Sequence, residues 1–203
     1  MSVVPLTTEG NSRTLITNQE EFSLEGSAIL CNDLDPEQID EKSDSCNICY
    51  DLRVGKIFRD HRVDGGTSLG KGEKIKISSG MAVIIETEEW IHVPKGVFGQ
   101  VTPKVSLLQK GITNTHSKID PGYHGHLLVT VFNLGKKEVF LKRGDKFCSM
   151  FFIGVEEDVR PYNKGSKQIE GRKSIGIIQK FFDIIQNNGG PLAIIAMIVA
   201  VIF

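Results

Sequence analysis

Apolar residues recur at two-residue spacing in several short runs. The clearest covers residues 126–132, where Leu127, Val129 and Val131 alternate with His126, Leu128, Thr130 and Phe132. Such alternation predicts a strand with one face on a core and the other toward solvent. Asn133-Leu134-Gly135 interrupts the pattern as a hairpin-like break, residues 139–141 read as a second strand, Arg143-Gly144-Asp145 as a turn, and residues 147–153 as a third strand. In sequence order these predict a β meander. Upstream, Asp120-Pro121-Gly122 is a turn, because Pro presets φ and Gly supplies the positive φ of a tight reversal. Lys74-Ile75-Lys76-Ile77 alternates as a strand, residues 81–85 read as a continuous apolar strand, and Glu86-Thr87-Glu88-Glu89-Trp90 as its solvated end. The expected class is mainly β.

The two ends of the chain differ from this middle. Residues 1–45 are polar and weakly patterned, with Asp35 expected as N-cap and Pro36 as first residue of a short helix. Residues 155–172 are charged and turn-rich, as in a linker or arm. Beyond them Ile175, Ile177, Ile178, Phe181, Phe182, Ile184 and Ile185 fall at helical spacing opposite Lys173, Lys180 and Asp183, which predicts an amphipathic helix. After Asn187-Asn188-Gly189-Gly190 an uncharged apolar run continues to Phe203. As a helix it measures roughly 20 Å against a hydrocarbon core of about 30 Å. It is too short to span alone, so the expectation is membrane contact through residues 173–203, or burial of the tail between subunits. The organisation expected is an N-terminal segment (1–45), a β domain (46–154), a linker or arm (155–172) and a hydrophobic helical tail (173–203).

Charge and cysteine content narrow the function classes. With 24 basic and 25 acidic residues among 203, and a net charge of −1, no nucleic-acid partner is expected. The four Cys, without a secretory-type N-terminus, suit reduced thiols in the cytoplasm. Cys46-Asn47-Ile48-Cys49 lacks a second ligand pair, and Cys31 and Cys148 stand alone, so no metal site is expected. Gly65, Gly70 and Lys71 imitate a phosphate loop, but Gly72 replaces the required hydroxyl and a strand follows instead of a helix.

Six blocks in order carry a resemblance: Tyr50-Asp51-Leu52-Arg53-Val54-Gly55; Glu86-Thr87-Glu88 with Val93-Pro94; Ser106-Leu107; Ile119-Asp120-Pro121-Gly122-Tyr123 with Gly125; Asn133; and Gly144-Asp145. Over about residues 45–153 the chain resembles the dCTP deaminase and dUTPase superfamily, trimeric enzymes of pyrimidine deoxynucleoside triphosphates. The resemblance implies a dUTPase-like β-barrel or β-clip domain, to which the C-terminal amphipathic and apolar helices are appended. It also implies Asp120 as proton acceptor or 3′-hydroxyl partner, Tyr123 as the ring beneath the deoxyribose, and Lys104, Ser106 and Gln109 in the phosphate-binding block.

Departures from the family pattern weigh on activity. Thr130 occupies the slot where a deaminase glutamate activates water, and a hydroxyl does not titrate near neutrality. Glu138 lies beyond the Asn133 turn and would need a register slip to replace it. Lys104 lacks the arginine fork, Val105 replaces a hydroxyl, Gln109 a second arginine, and Ser149 stands where dUTPases have glutamine. The expectation is a homotrimeric binder of dCTP or dUTP that has lost deaminase chemistry and is tethered by its tail as a nucleotide sensor or effector. No cofactor is expected on the protein itself, and Mg²⁺ would come through the phosphates if activity survives. Two alternatives stay open: an active deaminase or dUTP diphosphatase, and a trimerisation scaffold for the tail.

Overall fold

Strands dominate the computed structural model, which describes residues 2–8, 13–17, 20, 22, 26–39, 46–70, 72–155, 159–164 and 166–169. In chain order they are β1 (Ser2–Val3), β2 (Leu15–Ile16), β3 (Ile29–Asn32), β4 (Cys49–Asp60), β5 (Thr67–Ser68), β6 (Lys74–Ile77), β7 (Ala82–His92) and β8 (Val97–Pro103). After a one-turn helix α1 (Val105–Leu108) come β9 (Ile112–Asn114), β10 (Lys118–Ile119), β11 (His124–Asn133), β12 (Val139–Lys142) and β13 (Lys146–Gly154). The chain divides into two units, Met1–Glu170 and Gly171–Phe203. The helical tail expected over 173–203 lies outside the described residues. Among the described residues no helix is long and apolar enough to cross a membrane.

The main sheet runs β10-β8-β13-β4-β7-β11-β9, while β12 and β6 form a separate two-stranded ribbon. The three strands 124–133, 139–142 and 146–154 exist, but they are no meander. β11 pairs with β7 and β9, β12 with β6, and β13 with β4 and β8. Both edges of β11 are taken by non-local partners, so Asn133 cannot open a hairpin. Its buried amide instead donates to the carbonyls of Ile77 and Lys137, both at 2.8 Å, and its Oδ1 accepts from Gly135 N at 3.0 Å.

Alternation along β7 and β11 sets the core. Val83, Ile85, Ile91, Leu127, Val129 and Val131 are buried, while Ile84, Glu86, Glu88, Leu128 and Thr130 form a half-buried outer face. Each fully buried Ile or Val stabilises by about 1.5–3 kcal/mol. Glu86-Thr87-Glu88-Glu89-Trp90 is therefore not a solvated strand end. It lies within β7, and Glu89 is fully buried.

The N-terminal residues contribute to the same core: Leu6, Leu15, Ile29, Leu30 and Cys31 are buried, and β3 adds to the edge of β7. Asp35 caps a 3-10 turn at Pro36–Gln38, accepting from Glu37 N at 3.2 Å. Cys31 and Cys148 are buried, whereas Cys46 and Cys49 are exposed, and all four are free thiols. A thiol-reactive chromophore added to native protein should titrate two thiols quickly, and the other two only after unfolding. Burial also pushes the Cys31 and Cys148 thiols well up, which withholds the reactive thiolate.

Candidate functional site

The turn at Asp120 builds one end of the site. Tyr123 N donates to Asp120 O at 3.0 Å, and Gly122 adopts φ +81°. The Asp120 carboxylate pairs with Lys118 Nζ at 2.8 Å instead of capping its own turn. The half-buried Tyr123 hydroxyl donates to His126 O at 2.6 Å. Burial first, then Tyr162 and Glu86, push the phenol up to about 12, so it stays a neutral donor.

Beside this turn lies a pocket of about 170 Å³ whose walls include Ser117, Lys118, Tyr123, Leu128, Tyr162 and Lys167. Alternation along β11 fixes which main-chain groups face it. Asn133 N and O bond toward β7, at Met81 and Gly80, whereas Thr130 O accepts from Thr115 N at 3.0 Å on the opposite edge. Leu128 shares the parity of Thr130, so its N–H and C=O also point away from β7, toward Ser117 and Lys118. The pocket thus has a main-chain donor and acceptor side by side.

Residues 159–164 and 166–169 form a strap across the turn. Tyr162 N donates to Pro121 O at 2.7 Å, and the Tyr162 ring centroid lies 6.0 Å from that of Tyr123. Ile169, near the end of the strap, is buried.

The phosphate-block residues sit elsewhere. Lys104 is the N-cap of α1, and its ammonium pairs with Asp51 on β4. Asp51 also accepts from Ser149 Oγ at 2.5 Å. Ser106 and Gln109 are exposed. Along β8, Gly99 is the partner of Ile119, beside Asp120, while Lys104 follows the strand's far end. Five residues of extended chain span roughly 17 Å. One chain therefore brings Asp120 and Tyr123 together but leaves Lys104, Ser106 and Gln109 apart from them.

Thr130 lies on the half-buried face of β11, opposite Ile84. Glu138 pairs with Lys76 Nζ at 2.7 Å, both well exposed on the β12–β6 ribbon, and so does not take over the slot at Thr130.

Two glutamates of β7 were not singled out from sequence. Glu89 accepts from Tyr50 OH at 2.9 Å, Arg53 N at 3.0 Å and Arg53 Nε at 2.7 Å. Glu86, opposite Leu128, has no hydrogen bond or ion pair among the described residues, and burial raises its carboxyl above the ordinary value. The β7 parity held a signal: Glu89 falls in phase with Val83, Ile85 and Ile91, and Glu86 with Ile84.

Among the described residues no group of three or more His, Cys, Asp or Glu converges on a metal-sized space. Asp51, the carboxylate nearest the phosphate block, is already engaged by Lys104 and Ser149. The donor set at hand does not fit a resident metal held by protein ligands alone.

A family model described as dCTP deaminase-like matches residues 16–155. The chain belongs to the dCTP deaminase-like family. It is 33% identical to the dCTP deaminase of Thermococcus gammatolerans over 125 residues, covering 59% of this chain and 78% of that protein. Among solved structures it is similar to the 2′-deoxycytidine 5′-triphosphate deaminase of Agrobacterium tumefaciens, with TM-score 0.49 and 19% identity over 59% of this chain and 42% of that one. A mutant dUTPase of the S. aureus phage phi11, whose structure details a structural Mg(II) ion, matches with TM-score 0.46 and 16% identity over 72% of this chain and 99% of that one.

Proposed function

We propose that this protein binds a pyrimidine deoxynucleoside triphosphate, dCTP or dUTP, in the pocket beside Tyr123, and that it lacks the deaminase step. The observation that carries the binding half is the pocket itself. Tyr123 supplies a ring, Leu128 offers a main-chain donor and acceptor in the spacing a pyrimidine edge requires, and Asp120 stands ready for a sugar hydroxyl. The lost chemistry follows from Thr130, because its hydroxyl cannot take a proton from water near neutrality.

The binding site is assembled between copies. Asp120 with Tyr123, and Lys104 with Ser106 and Gln109, lie at opposite ends of β8, so one chain's pocket needs another chain's phosphate block. A homotrimer supplies this. Mg²⁺ arrives on the phosphates. Lys104 gives charge without a fork, and Asp51 competes for it, so the clamp on the triphosphate is weak. The apolar run 191–203 adds membrane tethering to this reading, which makes the chain a nucleotide sensor or effector; full-length protein that fractionates as wholly soluble would end that part.

The test is calorimetry of the full chain with dCTP and dUTP in Mg²⁺, combined with chromatography of the products. Saturable binding is expected, without ammonia or dUTP formed from dCTP. Asp120→Asn should weaken binding about tenfold, since it removes a charge-assisted hydrogen bond worth roughly 1.5 kcal/mol or more. Deamination at turnover rates overturns the loss of chemistry, and absence of binding overturns the nucleotide. A diphosphatase reading also draws on Asp120, which keeps a carboxylate able to accept a proton from water. It predicts dUMP from dUTP, abolished in Asp120→Asn.

A further inference from the structure

Cys46-Asn47-Ile48-Cys49 is a motif that the nucleotide pocket leaves unused. Asn47 and Ile48 form a turn, and Cys49 opens β4. A four-residue turn brings its first and last Cα atoms within about 7 Å of each other. A disulfide spans about 4.4–6.8 Å between Cα atoms, so the turn holds the two cysteines in the range that a bond between them needs.

The turn is anchored on both sides. Asn47 O accepts from Leu6 N at 2.5 Å, and Leu6 is buried in the core. Cys49 is the ladder partner of Phe151 on β13. A backbone already fixed in this way has little loop entropy left to lose when a small ring closes. Cys46 and Cys49 are exposed free thiols, so a dissolved oxidant reaches both, whereas Cys31 and Cys148 are buried. Partial burial first, then the charges of Asp51 and Cys46, raise the Cys49 thiol above its ordinary value, against the pull of Lys104. Cys49 thus feels Cys46 beside it and mostly keeps its proton near neutrality, which leaves the first attack to Cys46.

We propose that Cys46 and Cys49 are a redox modification site, closing to a reversible intramolecular disulfide by exchange with small-molecule disulfides such as oxidised glutathione. The Cys46 thiolate attacks one sulfur of the small disulfide, which forms a mixed disulfide and releases one thiolate. Cys49 then loses its proton to solvent and attacks Cys46 Sγ, closing the protein disulfide and expelling the second thiolate. Two protein thiols give up two electrons, one small disulfide becomes two thiols, and the two protons pass to them through water. Cys49 leads into a strand, so no helix N-terminus draws out its thiolate, and the pair receives oxidation without catalysing it. The inference does not depend on the nucleotide reading.

The experiment incubates the reduced full-length protein with oxidised glutathione, blocks the remaining thiols with iodoacetamide and weighs the tryptic peptide 43–53, which contains both cysteines. That peptide should carry no alkyl group and lack two hydrogens, and dithiothreitol should restore both alkylation sites. The fast phase of thiol titration on native protein should fall from two thiols to none, while Cys31 and Cys148 still react only after unfolding. Cys49→Ser should stop at glutathione bound to Cys46, because no second thiol is there to expel it. Two cysteines that remain alkylated, glutathione on both without a ring, or a disulfide joining two chains would each overturn the inference.

Discussion

Glu89→Ala should destabilise the protein by about 3–5 kcal/mol, because it leaves a partly buried charge without its counter-ion. The Glu89 side chain is fully buried, and its two oxygens accept from Tyr50 OH, Arg53 N and Arg53 Nε. Arg53 would keep its donation to the Asp33 carbonyl but lose the carboxylate it pairs with. Tyr50 OH also accepts from Asp35 N at 2.7 Å, so the loss spreads to the segment that carries the 3-10 turn. Thr87 Oγ1 donates to Glu89 O at 2.9 Å and accepts from Leu127 N at 3.0 Å, which ties the same network to the irregular register of β11. Urea unfolding should show a lower midpoint with an unchanged slope. A loss below 1 kcal/mol would mean that water replaces the carboxylate. Glu89→Gln keeps the shape and one acceptor oxygen, and should cost less.

Parity explains both what could be read in the sequence and what could not. The alternation over 126–132 located β11 and its inner face, since period two is a local property of the chain. The Asp120 turn was equally legible, because Pro and Gly act on their own dihedrals. The meander failed for the complementary reason. Nothing local in Asn133-Leu134-Gly135 indicates that β7 and β9 already hold both edges of β11. Glu89 looked solvated because charge outweighed phase: read by parity alone, it belongs with Val83, Ile85 and Ile91. The N-terminal contribution escaped because Leu6, Leu15 and Ile29 are too far apart to show a period.

Asp120, Tyr123 and Thr130 were singled out through motif order. The contacts of the phosphate block were not legible, because the Lys104–Asp51–Ser149 contact needs α1, β4 and β13 side by side. Glu86 was passed over as part of a structural run, and only register shows that it faces Leu128.

Gly125→Ala should detach the strap formed by residues 159–164 and 166–169 and weaken nucleotide binding at least tenfold. Gly125 has φ +133°, a region that side chains avoid at a cost of roughly 1–3 kcal/mol. A methyl group there would also overlap the Ser166 side chain, with Oγ only 2.7 Å away. Strain and overlap act together, so either β11 shifts or the strap lifts. The strap is the weaker of the two, since β11 is held along both edges while the strap rests on the Tyr162–Pro121 hydrogen bond, the Tyr123 ring and the burial of Ile169. Lifting it withdraws Tyr162 and Lys167 from the pocket, and with Lys167 goes a cation suited to a phosphate. Limited trypsin digestion should then cut faster at Lys164 and Lys167. Gly144→Ala is the control, because Gly144 also has a positive φ (+86°) but nothing within 4 Å of an added methyl. It bears dihedral strain alone, and should lower stability without loosening the strap. Equal cleavage in the two variants would mean that Ser166 does not bear on Gly125 and that the pocket is not closed by this segment.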